Sequence, residues 1–218
     1  EQVQRGEVVT LPGAMIPTQL IDVSFRHLPD TGRPLLHNAE VKVFVGTAES
    51  IGYVRLLADE SLAPGAESWL QIRLEAPLAV AQGDRLILRY PSPPQTIGGG
   101  VIVNPHPTRR WKRFQDAVIQ DLQTLAQGTP AERLVQATNQ PEPTRLDALR
   151  SELGLSETEF DAALSQAIED GQVRRFPEEF VWGVGRIQQI HDHLLAELNA
   201  FHLALPLRPG MPREELRN

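Results

Sequence analysis

QTIGGGVIVNP, residues 95–105, sets two architectures against each other. Three consecutive glycines after a polar turn suit a loop whose backbone N–H groups cradle a phosphate, and they equally suit a bend between strands. A phosphate loop of the Gly-x-x-x-x-Gly-Lys-Ser/Thr kind sits between a strand and a helix, so that the lysine and the helix N-terminus meet the phosphates. Here the glycines run into Val101, Ile102 and Val103, which read as strand, and no lysine or serine follows. The phosphate-loop reading fails. Glycine inside a strand marks a bulge, a barrel corner or a close approach of backbone.

The surrounding sequence agrees with strand. From Val8 to Val103 the apolar period is two: Leu70, Ile72 and Leu74 alternate with Gln71, Arg73 and Glu75, placing one face on a core and the other in water. Ile21, Val23 and Phe25 repeat the pattern, as do Val41, Val43 and Val45, and GDRLILRY (83–90) supplies another short strand. LPDTGRP (28–34), APG (63–65), QGD (82–84) and PSPP (91–94) are turn-makers between them. Short strands at this spacing, with no helical stretch among them, predict an antiparallel barrel or sandwich over residues 1–105.

The period switches to 3.6 in PTRRWKRFQDAVIQDLQTLAQG (107–128), where Trp111, Phe114, Val118, Leu122 and Leu125 fall on one stripe of a predicted connecting helix. Arg109, Arg110, Lys112 and Arg113 crowd its first turn, against the helix dipole. Those charges fit either a contact with RNA or an acidic surface, or a solvated basic linker face. Residues 129–185 then read as helix, helix–turn–helix and hairpin, the order of a winged helix. Thr129, Pro130 and Glu132 form a helix start, Gly154 stops a short helix, and Ser156 with Glu159 forms a capping box before Phe160, Leu164 and Ile168. QVRRF (172–176) and EFVWGV (179–184) read as the two wing strands. From Arg186 a further amphipathic helix begins, with Ile187, Ile190, Leu194, Leu198, Phe201 and Leu205 at spacings of three and four. Its wide apolar stripe predicts that 186–218 is the first part of another domain and that the chain is a fragment of something longer.

Charge limits what the chain can bind. Lys and Arg number 21 against 28 Asp and Glu, a net charge of −7, which argues against a wholesale nucleic-acid binder. Residues 1–103 hold eight cations and eleven anions, 104–128 four and two, 129–185 five and eleven, and 186–218 four and four. Any polyanion contact is therefore local. The predicted third helix of the winged helix carries Glu157, Glu159, Asp161, Glu169 and Asp170 and no basic residue, so the phosphate backbone repels it from a DNA groove. Arg174 and Arg175, on the wing, are the one local basic contact this region offers, and a spacer or protein–protein module is the competing reading.

No cysteine is present, which removes disulfides, thiolate metal sites and cysteine nucleophiles together. His191 and His193 point about 200° apart on a helix and His202 does not repair that geometry, so no metal site is expected. No Ser-His-Asp arrangement or spaced carboxylate pair suggests a catalytic residue. The N-terminus has no export signal and no apolar run approaches the roughly 18 residues of a membrane span, so a cytoplasmic protein without membrane contact is expected.

RGEVV (5–9), LLHNAEVKVFVGTAESIGYVRLL (35–57), LAPG (62–65), QIRLEAPLAVAQGDRLILR (71–89) and TIGGGVIVNP (96–105) together resemble the selenocysteine-specific elongation factors of bacteria. PLRPGMPREELR (206–217) resembles the opening of that family's second winged helix. The resemblance implies an all-β closed antiparallel barrel of the translation-factor third-domain type over 1–105, a connecting helix over 106–128, an α/β winged-helix domain over 129–185 and a truncated second winged helix over 186–218. It implies a role in delivering selenocysteyl-tRNA to the ribosome at recoded UGA codons. The barrel would form part of the tRNA T-stem surface and the first winged helix a spacer toward the end that grips the selenocysteine-insertion mRNA hairpin. GTP and Mg belong to a GTPase domain that these residues do not include, so no cofactor and no enzymatic activity are expected of this chain, which would act as a monomer. Carried across from the related elongation factor Tu, the tRNA contacts are Thr47, Arg89, Gln95 and Thr96, with prolines at 93 and 94 removing backbone donors that the relative has. A transcription regulator with a DNA-binding winged helix and a β-barrel sensing module is the alternative.

Overall fold

The computed structural model describes residues 5–10 and 15–217 and divides into two compact units, Glu1–Gln127 and Gly128–Asn218. Residues 1–4 and 218, at the ends of the predicted domains, lie outside the described residues.

Six strands of the first unit close into an antiparallel barrel: β1 (Thr18–His27), β3 (Glu40–Val45), β4 (Ala48–Leu56), β6 (Glu67–Leu78), β7 (Arg85–Tyr90) and β8 (Gln95–Asn104). Their order around the barrel is β1-β6-β4-β3-β7-β8, with β8 returning to β1. Two further two-residue strands, β2 (Leu35–Leu36) and β5 (Ser61–Leu62), pair with each other outside it. The period-two positions behave as expected: Ile21, Val23, Phe25, Val41, Val43, Leu70, Ile72, Leu86 and Leu88 are buried in one core. Each such side chain contributes about 1.5–3 kcal/mol by leaving water. β8 carries an extra residue at Ile97, since Leu88 pairs with Gly98 while Arg89 pairs with Thr96, and such bulges bend a strand into closure.

The glycines lie in β8 and mark a close approach. Gly98 and Gly100 pair with the buried Leu88 and Leu86 and so point inward. A methyl group on Gly98 would fall on the Arg26 carbonyl oxygen and 2.6 Å from Phe25 Cζ; one on Gly100 would lie 2.6 Å from the Ser24 carbonyl oxygen and 2.7 Å from Val23 Cγ1. The Phe25 ring and the β1 backbone occupy the volume that side chains would need. Gly99 points outward, where a methyl group would meet the Leu86 carbonyl oxygen at 3.5 Å, an ordinary contact.

The segment expected to be helical from residue 107 becomes α1 only at Asp116, running to Gln127. Residues 109–114 are irregular because the barrel takes their backbone groups: Gln71 Oε1 accepts the Trp111 N–H (3.1 Å), Gln71 Nε2 donates to the Arg109 carbonyl (3.1 Å), and the Phe114 N–H donates to Leu57 O (2.7 Å). Phe114 adopts a left-handed φ of 58° and leaves the predicted stripe, being 49% exposed. The four basic residues therefore precede the helix, and Asp116 stands in its first turn, which removes the conflict with the dipole. Leu122, Val118, Ile119 and Leu125 of α1 pack with Leu57, Trp69, Val103 and Trp111 on the outside of the barrel.

The second unit runs α2 (Pro130–Thr138), β9 (Thr144–Arg145), α3 (Leu146–Leu153), α4 (Glu157–Glu169), β10 (Val173–Phe176), β11 (Phe180–Gly183), α5 (Val184–Ala204) and α6 (Arg213–Arg217). Helix, strand, helix, helix and hairpin, with a sheet ordered β10-β11-β9, is the winged-helix arrangement. Both capping boxes form, Thr129 with Glu132 and Ser156 with Glu159, and Gly154 closes α3 in the left-handed conformation. Leu134, Leu149, Phe160, Ala167, Val173 and Val181 make its core. Along α5, Phe201 is buried while Ile187, Ile190, Leu194 and Leu198 are half-buried.

Candidate nucleic-acid interface

Arg89 and Thr96 stand directly opposite each other on β7 and β8, and Lys42 of β3 faces Arg89 from the other side. Residues so paired share a face, so the three form one row on the outside of the barrel. Arg89 Nε has no hydrogen-bond partner among the described residues, whereas Lys42 Nζ lies 2.7 Å from Glu49. Gln95 is committed: its Nε2 donates to the Thr31 carbonyl at 3.1 Å. Thr47 sits at the tip of the β3–β4 hairpin, beyond the pair Val45–Leu86, while Arg89 is level with Lys42. At about 3.3 Å per residue, this separates Thr47 from the Arg89 row by roughly 10 Å or more along the strand. The fold brings Arg89 and Thr96 together and leaves Thr47 toward the other end.

A second grouping was only partly visible in the sequence. Register aligns Arg55, Gln71, Asp22 and Asn104 across β4, β6, β1 and β8. This row points outward, yet Asp22 is fully buried because Trp111 covers it. Its carboxylate accepts from Trp111 Nε1 (2.9 Å), Gln71 Nε2 (3.0 Å) and Asn104 Nδ2 (3.2 Å). Burial pushes its pKa up to about 6, and the hydrogen bonds from Trp111, Gln71 and Asn104 oppose the rise. A folded pKa above the ordinary 3.8 means that between about pH 4 and 6 the folded chain holds more protons than the unfolded one. The contribution of this group to stability therefore grows as pH falls through 6 and levels off below about 4. Urea midpoints of the wild type, measured from pH 7.5 to 5 against those of Asp22→Asn, should rise relative to the variant; parallel profiles would refute the assignment.

At the end of the same row the segment 111–113 clasps β4. Arg55 Nε donates to the Trp111 carbonyl (2.8 Å), and Arg113 Nε and Nη2 donate to the Leu56 (2.9 Å) and Asp59 (2.7 Å) carbonyls. Arg109 stacks over the Trp111 ring, its guanidinium carbon 5.0 Å from the centroid. Arg110 and Lys112 are exposed. Burial first, then Arg110 and Arg113, holds the Arg55 guanidinium below its ordinary pKa. Burial followed by Arg113, Arg55 and Arg110 likewise lowers His37, against a weaker pull from Glu60.

On the winged helix, Arg174 and Arg175 project to opposite faces of β10. Arg174 is paired in register with Trp182, and Arg175 is bound to Glu179 at 2.8 Å. Among the described residues no three carboxylates or imidazoles converge as metal ligands would, and no helix is long and apolar enough to cross a membrane.

A closed antiparallel barrel with cationic groups on its outer face, followed by a winged helix, defines a β-barrel and winged-helix protein. Residues 22–109 match the family model described as the beta-barrel domain of the selenocysteine-specific elongation factor, and residues 195–218 match the one described as elongation factor SelB, winged helix. Both matched stretches are thus similar to domains of the selenocysteine-specific elongation factors. It is 29% identical to the selenocysteine-specific elongation factor of Desulfomicrobium baculatum over 99% of this chain and 34% of that protein. The same factor from Haemophilus influenzae is 26% identical over 91% of this chain and 30% of its own length. The chain thus spans about a third of the curated relatives it matches. The crystal structure of a bacterial selenocysteine-specific elongation factor, EF-Sec, has the same fold, with a TM-score of 0.62 at 16% identity, covering 94% of this chain and 30% of that one. The second match begins inside α5.

Proposed function

We propose that the barrel forms part of the surface that holds selenocysteyl-tRNA in a factor that delivers it to ribosomes in the cytoplasm at recoded UGA codons. The winged helix is a spacer toward the part of the factor that grips the mRNA hairpin. The observation that carries this reading is the match of residues 22–109 to the barrel domain of that factor, together with the outward row Lys42–Arg89–Thr96. The terminal guanidinium nitrogens of Arg89, beside the Thr96 hydroxyl, can donate to phosphate and ribose oxygens, which positions RNA without reading bases. α4 carries four carboxylates and no cation, which suits a spacer better than a groove-reading helix. GTP binding and hydrolysis, with the Mg they need, belong to a different part of such a factor, and these residues carry no nucleotide chemistry of their own.

Titration of the isotope-labelled chain with a hairpin of the selenocysteine tRNA acceptor and T arms tests the reading. Resonances of Lys42, Arg89 and Thr96 are expected to move, and Arg89→Ala to bind about tenfold more weakly with its thermal midpoint unchanged. Equal binding by the variant, with no barrel resonance displaced, would sink it.

A further inference from the structure

The strongest feature not absorbed by that surface is the clasp between the end of β4 and residues 110–113. Like charges repel, and a fold that gathers guanidinium groups without carboxylates to balance them stores an attraction for anions. Arg55 is fixed through Nε, and Arg113 through Nε and Nη2, to main-chain carbonyls, which orients the guanidinium groups without neutralising them. Arg113 is well covered, its side chain 18% exposed, and its carboxylate partner Glu60 reaches it only at 3.4 Å from a side chain that is 83% exposed. Arg110 is exposed, lies within electrostatic reach of Arg55 and His37, and has no hydrogen-bond or ion-pair partner among the described residues. His37 Nδ1 is shielded from solvent and unpartnered among the described residues.

We infer that Arg55, Arg110, Arg113 and His37 form a preorganised phosphate site on the barrel, occupied by a backbone phosphate of bound RNA. Arg55 keeps both terminal nitrogens and Arg113 its Nη1 for the oxygens of a phosphate, the exposed Arg110 supplies a third cation, and the His37 imidazole beside them lines the site. Glu60, exposed and long, can swing away when a phosphate arrives. The inference rests on the RNA-binding reading above and adds a second contact to it. Arg109, stacked on Trp111, has no part in the site.

The whole chain is titrated separately with inorganic phosphate and with the acceptor and T-arm hairpin, while the His37 ring and the Arg55 and Arg113 Nε–H signals are followed. Both probes are expected to move these signals. Arg110→Gln, an exposed change that leaves the clasp intact, is expected to bind the hairpin about tenfold more weakly. Its slope of log affinity against log salt should be shallower by about one, as for the loss of one phosphate contact. Unchanged affinity and slope in the variant, or signals unmoved by either probe, would overturn the site. Movement with inorganic phosphate but not with a hairpin that does bind would overturn RNA as its occupant. A hairpin that binds nowhere on the wild type removes the reading of the preceding section, and RNA as the occupant with it; the anion site then stands or falls on the phosphate titration.

Discussion

Gly98→Ala is expected to destabilise the barrel by about 4 kcal/mol, whereas Gly99→Ala, one residue away, should change stability by less than about 1 kcal/mol. The new methyl group at 98 overlaps the Arg26 carbonyl oxygen and the edge of the Phe25 ring, and the closed sheet leaves β8 no room to step back from β1. Strain of that kind is relieved by opening the β1–β8 seam or by expelling Phe25, which is buried among the strands of the core. At 99 the methyl group points to the outer face and meets only ordinary contact. Urea unfolding of the two variants side by side measures the difference. Equal costs would mean that the backbones do not approach as closely as described.

Trp111→Ala should be nearly as damaging, at about 3 kcal/mol, because it removes an aromatic body from the cluster under α1 and an indole donor from a buried carboxylate. Trp111→Phe separates the two effects: it keeps most of the packing, loses the Asp22 hydrogen bond and should cost about 1 kcal/mol. The Phe114 N–H, which donates to Leu57 O, should then exchange with solvent faster in the alanine variant than in the phenylalanine one. If Trp111→Ala costs under about 1 kcal/mol and exchange at Phe114 is unaltered, the segment is not anchored by this side chain.

Much of the barrel was legible because its inward positions are apolar at period two in β1, β3, β6 and β7. β4 was harder to read: its inward residues are Ser50, Gly52, Val54 and Leu56, so half the expected signal is missing. β9 is two residues long, too short to show any period in the sequence. The two capping boxes and the left-handed Gly154 were readable since each is a local contract among residues a few positions apart.

The site divides along the same line. Arg89 and Thr96 are near in sequence and adjacent in register. Asp22 looked like an ordinary outward residue of β1, and nothing in its neighbourhood announces that Trp111, 89 positions later, lies over it. The predicted helix fails over 107–115, before α1, for the converse reason: Gln71 and Leu57, both remote in the chain, take the backbone groups that a helix would have used. Arg55 and His37 join Arg110 and Arg113 only through that docking, so no spacing in the sequence could assemble them.

The covered outer row also fixes where this module can be cut. Strands alone would suggest a boundary after Asn104, but a protein ending there would uncover the Asp22 carboxylate and present Leu57, Trp69 and Val103 to water. Large apolar patches of that sort drive association. The portable piece, the one that can be grafted, expressed alone or exchanged between relatives, extends through Gln127. The arginines of the clasp travel with it.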